Sequence, residues 1–599
     1  DWKQADEALE KDVDTWVVNR DGSGLRRMTR DEAKHAPPAT GSSTPDHRRI
    51  VYEDGGDIYL FEDSAHARRA LTSTAEKETK PRISRDGRRV TFIRGDNLFL
   101  LTLDDGSVTQ LTNIGRDFDD LDADGWPEKE KTASQKFVAE EERKLLDVID
   151  RAATKREENE KRAHREHPRK PFPLAKSESI DDLVLTPDGK FVIALIETEG
   201  KLAKKADVPR YVTESAYTDK VETRLKVGDV STATKLVVLD AITGEKHALD
   251  VAFPPATKGG SGKRAVTLSA PRFSDDGDHV ALLARSVDNS DQWVVALDPA
   301  TGKGRILASL HDEAWIDGPA PDVLGILPDG RVYFTSEKTG YEHLYEVAWD
   351  GGDWKAITSG DWEVLGVELS DDRKSFDITT NEASPFEHQL YRVSVDGGER
   401  KRITREKGFH DALASPDGTS VADIYSYTNR PPELFVQTGE KRAQVTTSPI
   451  PEFFKYAWQD APIVRFTARD GVSVPARLYK PAHRSGAAVI FVHGAGYLQN
   501  VTRGWSYYFR EFMFHHLLME RGVTVLDVDY RGSAGYGRDW RTAIYRHMGG
   551  KDLDDQVDAA KWLVREHGID PKRIGMYGGS YGGFITLMAM FTQPDVFAA

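Results

Sequence analysis

Cysteine is absent from the 599-residue chain, which excludes disulfide bonds and thiolate metal ligands together. Long apolar runs are missing too. A membrane-spanning helix needs ~18 consecutive apolar residues, and the longest runs here, such as Ala487 to Val492, have the length of a strand. Nor is there a basic excess: 82 Lys and Arg stand against 98 Asp and Glu, a net charge of −16. Without a basic face, neither a nucleic-acid nor a membrane partner is expected. No H-E-x-x-H motif occurs, and no dinucleotide-type glycine loop follows a strand, so neither metal nor organic cofactor is expected. Lys258-Gly259-Gly260-Ser261-Gly262-Lys263 resembles a phosphate loop only in part. Thr257 stands where that loop needs Gly, and Arg264 where it needs Ser or Thr, so the segment reads as a plain loop. The chain begins at Asp1 without Met or signal peptide, as a processed or trimmed product would.

What is present is a repeat. A small or apolar residue, then Pro or Asp, then Asp-Gly, precedes a strand rich in β-branched residues. The phrase occurs as Thr44-Pro45-Asp46, Ser84-Arg85-Asp86-Gly87, Thr186-Pro187-Asp188-Gly189 and Ser274-Asp275-Asp276-Gly277. It returns as Leu327-Pro328-Asp329-Gly330, Ser370-Asp371-Asp372 and Ser415-Pro416-Asp417-Gly418. Asp-Gly supplies the positive-φ turn that joins antiparallel strands. After each phrase comes a second hairpin, as in Leu344-Tyr345-Glu346-Val347 with Asp350-Gly351-Gly352. Spacings of roughly 40–53 residues are those of propeller blades. About eight such outer hairpins make an eight-bladed β-propeller over residues 1–450 the expectation, with seven as the rival count and a β-sandwich array as the alternative architecture. A charged insertion near residues 128–172 breaks the period. Its first half places Val138, Leu145, Ile149 and Ala152 on one face of an amphipathic helix.

The texture changes between residues 448 and 462. Over 451–599, buried-strand runs (Ala488 to Val492, Val523 to Val528) alternate with helical periodicity (Tyr507 to Glu520, Leu553 to His567). That alternation predicts a mainly parallel α/β sheet. A chain this long exceeds the ~250–300 residues at which single cores stop growing, so two domains agree with its length. Within the second region, the strand Arg573 to Tyr577 runs into Gly578-Gly579-Ser580-Tyr581-Gly582-Gly583 and then a helix-like segment. This is G-x-S-x-G at a strand-to-helix turn, the nucleophile elbow of α/β-hydrolases. Its glycines leave room for neighbouring backbone and push the serine oxygen above the sheet. Ser580 is therefore the candidate nucleophile, and the Tyr581 amide a candidate oxyanion donor. Phe491-Val492-His493-Gly494 closes an earlier strand at the place where the second donor arises, so His493 is the other candidate.

Ser580 with Tyr581-Gly582-Gly583-Phe584, and the upstream Asp529-Tyr530-Arg531-Gly532-Ser533-Ala534-Gly535-Tyr536-Gly537, resemble the prolyl oligopeptidase family. Gly340-Tyr341-Glu342-His343-Leu344-Tyr345 is similar to its dipeptidyl peptidase IV-like branch in particular. The resemblance covers essentially the whole chain and implies a propeller joined to an α/β-hydrolase domain. It further implies a serine peptidase acting on short peptides, a homodimer, and a periplasmic or secreted location. The branch has an oxyanion-supporting Tyr where this chain has His493; an imidazole donor or Tyr497 would take its place. The branch's paired glutamates have no clear copy, which leaves Glu140, Glu141 and Glu142 on the charged insertion as candidates by chemistry. In this fold the triad runs Ser, then Asp, then His, and the chain stops 19 residues after Ser580. The acid and base are thus expected beyond Ala599; His547 and Asp552 precede the nucleophile. Removal of N-terminal dipeptides is the leading expectation. An endo- or acyl-peptide-cleaving oligopeptidase and a non-catalytic propeller scaffold are the alternatives.

Overall fold

The computed structural model describes residues 14–65, 67–116, 132–134, 136–138, 141, 154–155, 169–200, 204–226, 229, 231–254, 264–494 and 498–599. The first three-quarters forms antiparallel sheets in succession over residues 42–70, 78–110, 178–248, 266–311, 324–356, 364–402 and 409–444. Six have four strands; that of 266–311 has five, because its first strand is split in two. A two-stranded hairpin, Trp16–Val17 with Arg26–Arg27, precedes them. The first six sheets pack face to face, each neighbouring pair among them sharing a hydrophobic cluster. Val51, Leu60, Val90 and Phe92 join the first two, for example, and Leu327, Leu344, Phe376 and Ile378 join the fifth and sixth. A third strand such as Asp291–Leu297 is therefore buried on both faces and reads as a continuous apolar run. A cavity of about 1500 Å3 is lined by His47 and by residues between 272 and 418, Arg272, Asp322, Glu368 and Asp411 among them.

The repeated phrase has a physical basis. In each of six turns a Ser or Thr hydroxyl donates to the Asp two residues on, at 2.5–2.7 Å. The same carboxylate accepts a backbone N–H two residues further, as Asp188 does from Lys190. The next position takes positive φ: Gly at 87, 189, 277, 330 and 418, but His47 (φ 55°) and Arg373 (φ 59°) where the phrase lacks its glycine. The Asp side chain holds the turn, so glycine is dispensable at two of the seven. The N-terminal hairpin docks on the last such turn. There the Arg20 guanidinium reaches Asp417 at 2.7 Å, Ser415 at 3.1 Å and Ser420 at 2.8 Å.

The charged insertion leaves and returns through a short parallel pair, Ile114–Gly115 with Phe172–Pro173. Its described positions 133, 134, 136–138, 141, 154 and 155 are helical, Val138 among them. Leu145, Ile149 and Ala152 lie outside the described residues, as does the loop 258–263. A second excursion, the hairpin Lys205–Arg210 with Asp219–Leu225, leaves the third sheet and exposes Tyr211, Val212 and Tyr217.

From Ile463 a five-stranded sheet forms, in spatial order Ile463–Thr467, Ser473–Tyr479, Thr524–Val528, Ala488–Val492, Ile574–Gly578. The first two pairings are antiparallel and the last two parallel. The parallel strands are connected by helices Phe509–Glu520 and Lys551–His567. The second of these has Asp552 and Asp554 in its first turn, Arg565 and His567 in its last, and Gly568 in left-handed conformation closing it. A third helix, Tyr581–Thr592, follows Ser580 directly. Ala598 and Ala599 hydrogen-bond to Ile574 and Met576 on the sheet's outer edge.

The two regions touch through specific polar contacts. Arg541 forks onto Glu337 at 2.7 and 2.8 Å, both residues buried. Arg538 meets Asp312 at 3.1 Å, and its amide donates to the Gly340 carbonyl at 2.8 Å. Asn381 donates to Gly535 O, and Gln499 to Pro385 O. Two further carboxylates crowd the Arg541–Glu337 pair. Glu342 and Glu363 are each 2% exposed, and Glu342 Oε1 and Glu363 Oε2 have no hydrogen-bond partner. Burial first and the Glu337 charge second raise Glu342 well above the carboxylate range and Glu363 to about 7.

Candidate active site

Ser580 sits at φ 55°, ψ −120°, between the strand Ile574–Gly578 and the helix it starts. Such backbone is strained for a residue with a side chain and persists because its surroundings impose it. Two of the glycines are required by space. A Cβ on Gly582 would lie 2.0 Å from the Val492 carbonyl oxygen, and one on Gly578 2.3 Å from the same atom. Gly579, by contrast, faces open space. Ser580 is exposed and its hydroxyl makes no capping bond to its own helix, so the oxygen is free to meet a substrate carbonyl. The Tyr581 amide, first of the helix, has no intrahelical acceptor and marks the positive end of the helix dipole.

The Tyr581 side chain is anchored. Its hydroxyl donates to Asp552 Oδ2 at 2.5 Å, and burial and this carboxylate both keep the phenol protonated. Asp552 also accepts the Gly549 amide at 3.1 Å, so it is engaged as the brace of Tyr581; His547 is exposed. The loop after Ala488–Val492 faces the nucleophile, and a Cβ on Gly494 would sit 3.4 Å from Ser580 Cβ. Ser580, Tyr581 and the His493–Gly494 corner are thus brought together.

The imidazole of His493 is not available to an oxyanion, and the expectation that it donates there is corrected. It is fully buried and stacks on Tyr530. Its Nδ1 bonds the Gly494 carbonyl at 2.9 Å, and its Nε2 the Ser533 hydroxyl at 2.9 Å. That hydroxyl donates onward to Tyr530 O at 2.7 Å, so it accepts from the histidine. Both ring nitrogens therefore donate, as an imidazolium. Burial opposes the charge, but Asp529 at 3.4 Å more than offsets it and raises the histidine above its ordinary value. Asp529 also accepts the amides of Asn500 and Val501 and the Tyr536 hydroxyl, fixing the loop's exit. Tyr497, Glu140 and Glu142 lie outside the described residues. Glu141 falls in a helical position of the insertion.

One residue at the site was not anticipated. The Tyr508 hydroxyl accepts the Gly494 N–H at 2.7 Å, which places it beside the nucleophile. Its only sequence signal is its place in an aromatic-rich segment leading into a helix, too common to single it out. Among the described residues no cluster of His, Asp or Glu could hold a metal ion, and no helix is long and apolar enough to cross a membrane.

Comparison with known proteins agrees with this assembly. The family model described as dipeptidyl peptidase IV N-terminal region matches residues 183–432, and that of the prolyl oligopeptidase family matches 510–599. Human dipeptidyl peptidase 8 is 29% identical over 335 residues, covering 48% of this chain and 37% of that protein. Dipeptidyl peptidase 4 of Trichophyton tonsurans is 25% identical over 440 residues, covering 69% and 55%. The alignments thus span between about a third and just over half of these relatives' lengths. The crystal structure of Porphyromonas gingivalis dipeptidyl peptidase 4 superposes with a TM-score of 0.68 at 18% identity, covering 98% of this chain and 79% of that one. The fold is accordingly an N-terminal propeller followed by a hydrolase domain. With both family models met in that order, and with the serine elbow built as described, the chain is similar to the prolyl oligopeptidase family, and over residues 183–432 to its dipeptidyl peptidase IV-like branch.

Proposed function

We propose that the protein is a serine peptidase that releases dipeptides from the N-termini of short peptides through an acyl-enzyme on Ser580. The observation that carries this is the strained, exposed Ser580 at a helix N-terminus with the Tyr581 amide beside it. The names of the relatives, dipeptidyl peptidases 8 and 4, supply the substrate class. Attack of Ser580 Oγ on the scissile carbonyl passes the hydroxyl proton to a triad imidazole. The carbonyl oxygen takes the negative charge and is held by the Tyr581 N–H, one such donor being worth ~3–4 kcal/mol. Collapse expels the amine with that proton, and water releases the dipeptide. Peptides reach the serine beneath the propeller, and Glu140 and Glu141 on the insertion are the proposed partners of the substrate's ammonium.

The blade count belongs to the same reading. Seven sheets with the Trp16–Val17 and Arg26–Arg27 hairpin as an incomplete eighth blade fit an eight-fold ring, supported by the hairpin's docking on the last sheet. A homodimer is part of the reading as well, supported by the exposed Tyr211, Val212 and Tyr217 on the projecting hairpin. Light scattering of the full-length protein would remove the dimer if it read a monomer at micromolar concentration.

The activity is tested with a chromogenic dipeptide ending in Pro or Ala and its N-acetylated twin. Cleavage of the free form alone is the expected outcome. Cleavage of both would move the protein to endo- or acyl-peptide hydrolysis, and cleavage of neither would leave a binding scaffold.

A further inference from the structure

We infer that Arg85, Asp275, Arg373, His47 and Asp371 form a polar bar across the mouth of the cavity, on the rim away from the hydrolase domain, and that this bar closes the mouth to peptides. In each of the seven Asp-bearing turns the second position precedes the Asp and the fourth follows it. Pro holds the second position at 45, 187, 328 and 416, and Gly the fourth at 87, 189, 277, 330 and 418. Both are what such a turn favours, Pro for its fixed φ and Gly for its freedom at positive φ. The positions that depart are Arg85, Asp275 and Asp371 in second place, and His47 and Arg373 in fourth.

Those five are the residues that reach one another. Arg85 and Arg373 both meet the Asp275 carboxylate, and His47 Nε2 meets Asp371 at 3.3 Å. No partner comes from a sheet next in sequence. Arg85 stands in the turn of the second sheet, Asp275 in that of the fourth, Asp371 and Arg373 in that of the sixth, and His47 in that of the first. At 47 and 373 the reaching side chain is carried on strained backbone, φ 55° and 59°, where glycine would sit freely. The turns themselves share one rim. A Cβ on Gly87 would lie 3.2 Å from Thr44 Cγ2, and one on Gly277 3.0 Å from Pro187 Cβ.

This rim faces away from the hydrolase domain. That domain touches Glu337, Gly340, Asn381 and Pro385, all in turns between the second and third strands of their sheets. The bar lies in turns between first and second strands, at the other end of the same second strands. The cavity reaches that end, since its lining includes His47, Asp371, Asp372 and Ser415 to Gly418. The contacts are partly exposed, Asp275 at 33% and Arg373 at 31%, so salt screens them and the bar yields to ionic strength. Peptides bound for Ser580 are left to reach it from nearer the hydrolase domain, a consequence that rests on the function proposed above.

The test reads access rather than turnover, so it holds whether or not the protein proves to be a peptidase. The full-length protein carries Leu413→Cys, because Leu413 is exposed and lines the cavity. It is labelled with N-ethylmaleimide or with a maleimide carried on a polar peptide, and modification is read by mass spectrometry at position 413. A closed element is open about 0.1–10% of the time, so the peptide reagent should label about 10–10³-fold more slowly, after correction for its rate with free cysteine. Adding Arg373→Gly and His47→Gly gives both turns their usual residue. Peptide labelling should then speed up at least about tenfold, with N-ethylmaleimide labelling unchanged. With Leu413→Cys alone, about 1 M NaCl, where the Debye length is ~3 Å, should have the same effect. Equal labelling by both reagents before the glycine substitutions, or no gain in the folded glycine variant, overturns the bar. A gain with both reagents overturns it too, since the sheets would then have loosened as a whole. Should the glycine variant fail to fold, the salt measurement decides alone.

Discussion

Ser580→Ala in the full-length protein is expected to lower kcat by about 10⁵–10⁶-fold, the order of loss when the nucleophile of a triad peptidase is removed. Stability is expected to change little or to rise. The substitution deletes one exposed oxygen that caps nothing and leaves the positive-φ backbone, which Gly578 and Gly582 impose through their approach to Val492 O. Substrate affinity should persist, because the Tyr581 amide remains in place. Steady-state kinetics together with thermal unfolding check both halves. Residual turnover above ~1% of wild type would mean that another group attacks. A fall in melting temperature of more than a few degrees would mean that Ser580 has a structural role.

Arg541→Ala should have the largest effect on stability, about 3–5 kcal/mol, because removing one partner of a buried pair strands the other. The stranded group here is more than Glu337, since Glu342 and Glu363 face the same guanidinium and lose its attraction too. The opposite result is expected at Glu363. Its carboxyl is held at about 7 in the fold against an ordinary 4.5. Between those values the folded protein keeps a proton that the unfolded chain has released. Stability therefore falls as pH rises through that window, by about 3 kcal/mol in all. Glu363→Gln cannot ionise and should be the more stable protein above neutrality, with a shallower decline set by Glu342. Urea unfolding at pH 5 and pH 8 measures both variants. A midpoint for Arg541→Ala equal to wild type, or for Glu363→Gln equal at both pH values, would remove the cluster from the forces that join the two regions.

What could be read from the chain beforehand was local. The Ser-x-Asp turns are five-residue devices in which side chain and backbone close on themselves, so their residues stand together in sequence. The elbow is likewise contiguous, and its glycines are explained by the carbonyl they approach. His493 was legible only by position. Its partner Ser533 lies 40 residues away, and that distant partner decides that the imidazole is consumed. Arg541 and Glu337 are 204 residues apart, and nothing in either neighbourhood announces the other. Tyr508 escaped for the same reason, because its position is set by its bond to the Gly494 amide and by a chain of three hydrogen bonds. The repeat period suggested the sheets well. Two turns lacking Gly were still turns, because the Asp side chain does the holding.

The docking of the N-terminal hairpin has a consequence in time. Arg20 and Asp417 are separated by 397 positions. Contacts of such separation slow folding, because the chain must search for an end that forms late. During synthesis Arg20 emerges first and waits, its guanidinium without this partner, until the last of the repeated turns has been made. The preceding sheets can stack as they appear, each on its predecessor, while the clasp closes only at the end. The entropy of so long a loop exceeds that of one half its length by only ~0.6 kcal/mol. The cost of this arrangement therefore falls on the rate of assembly far more than on the finished molecule.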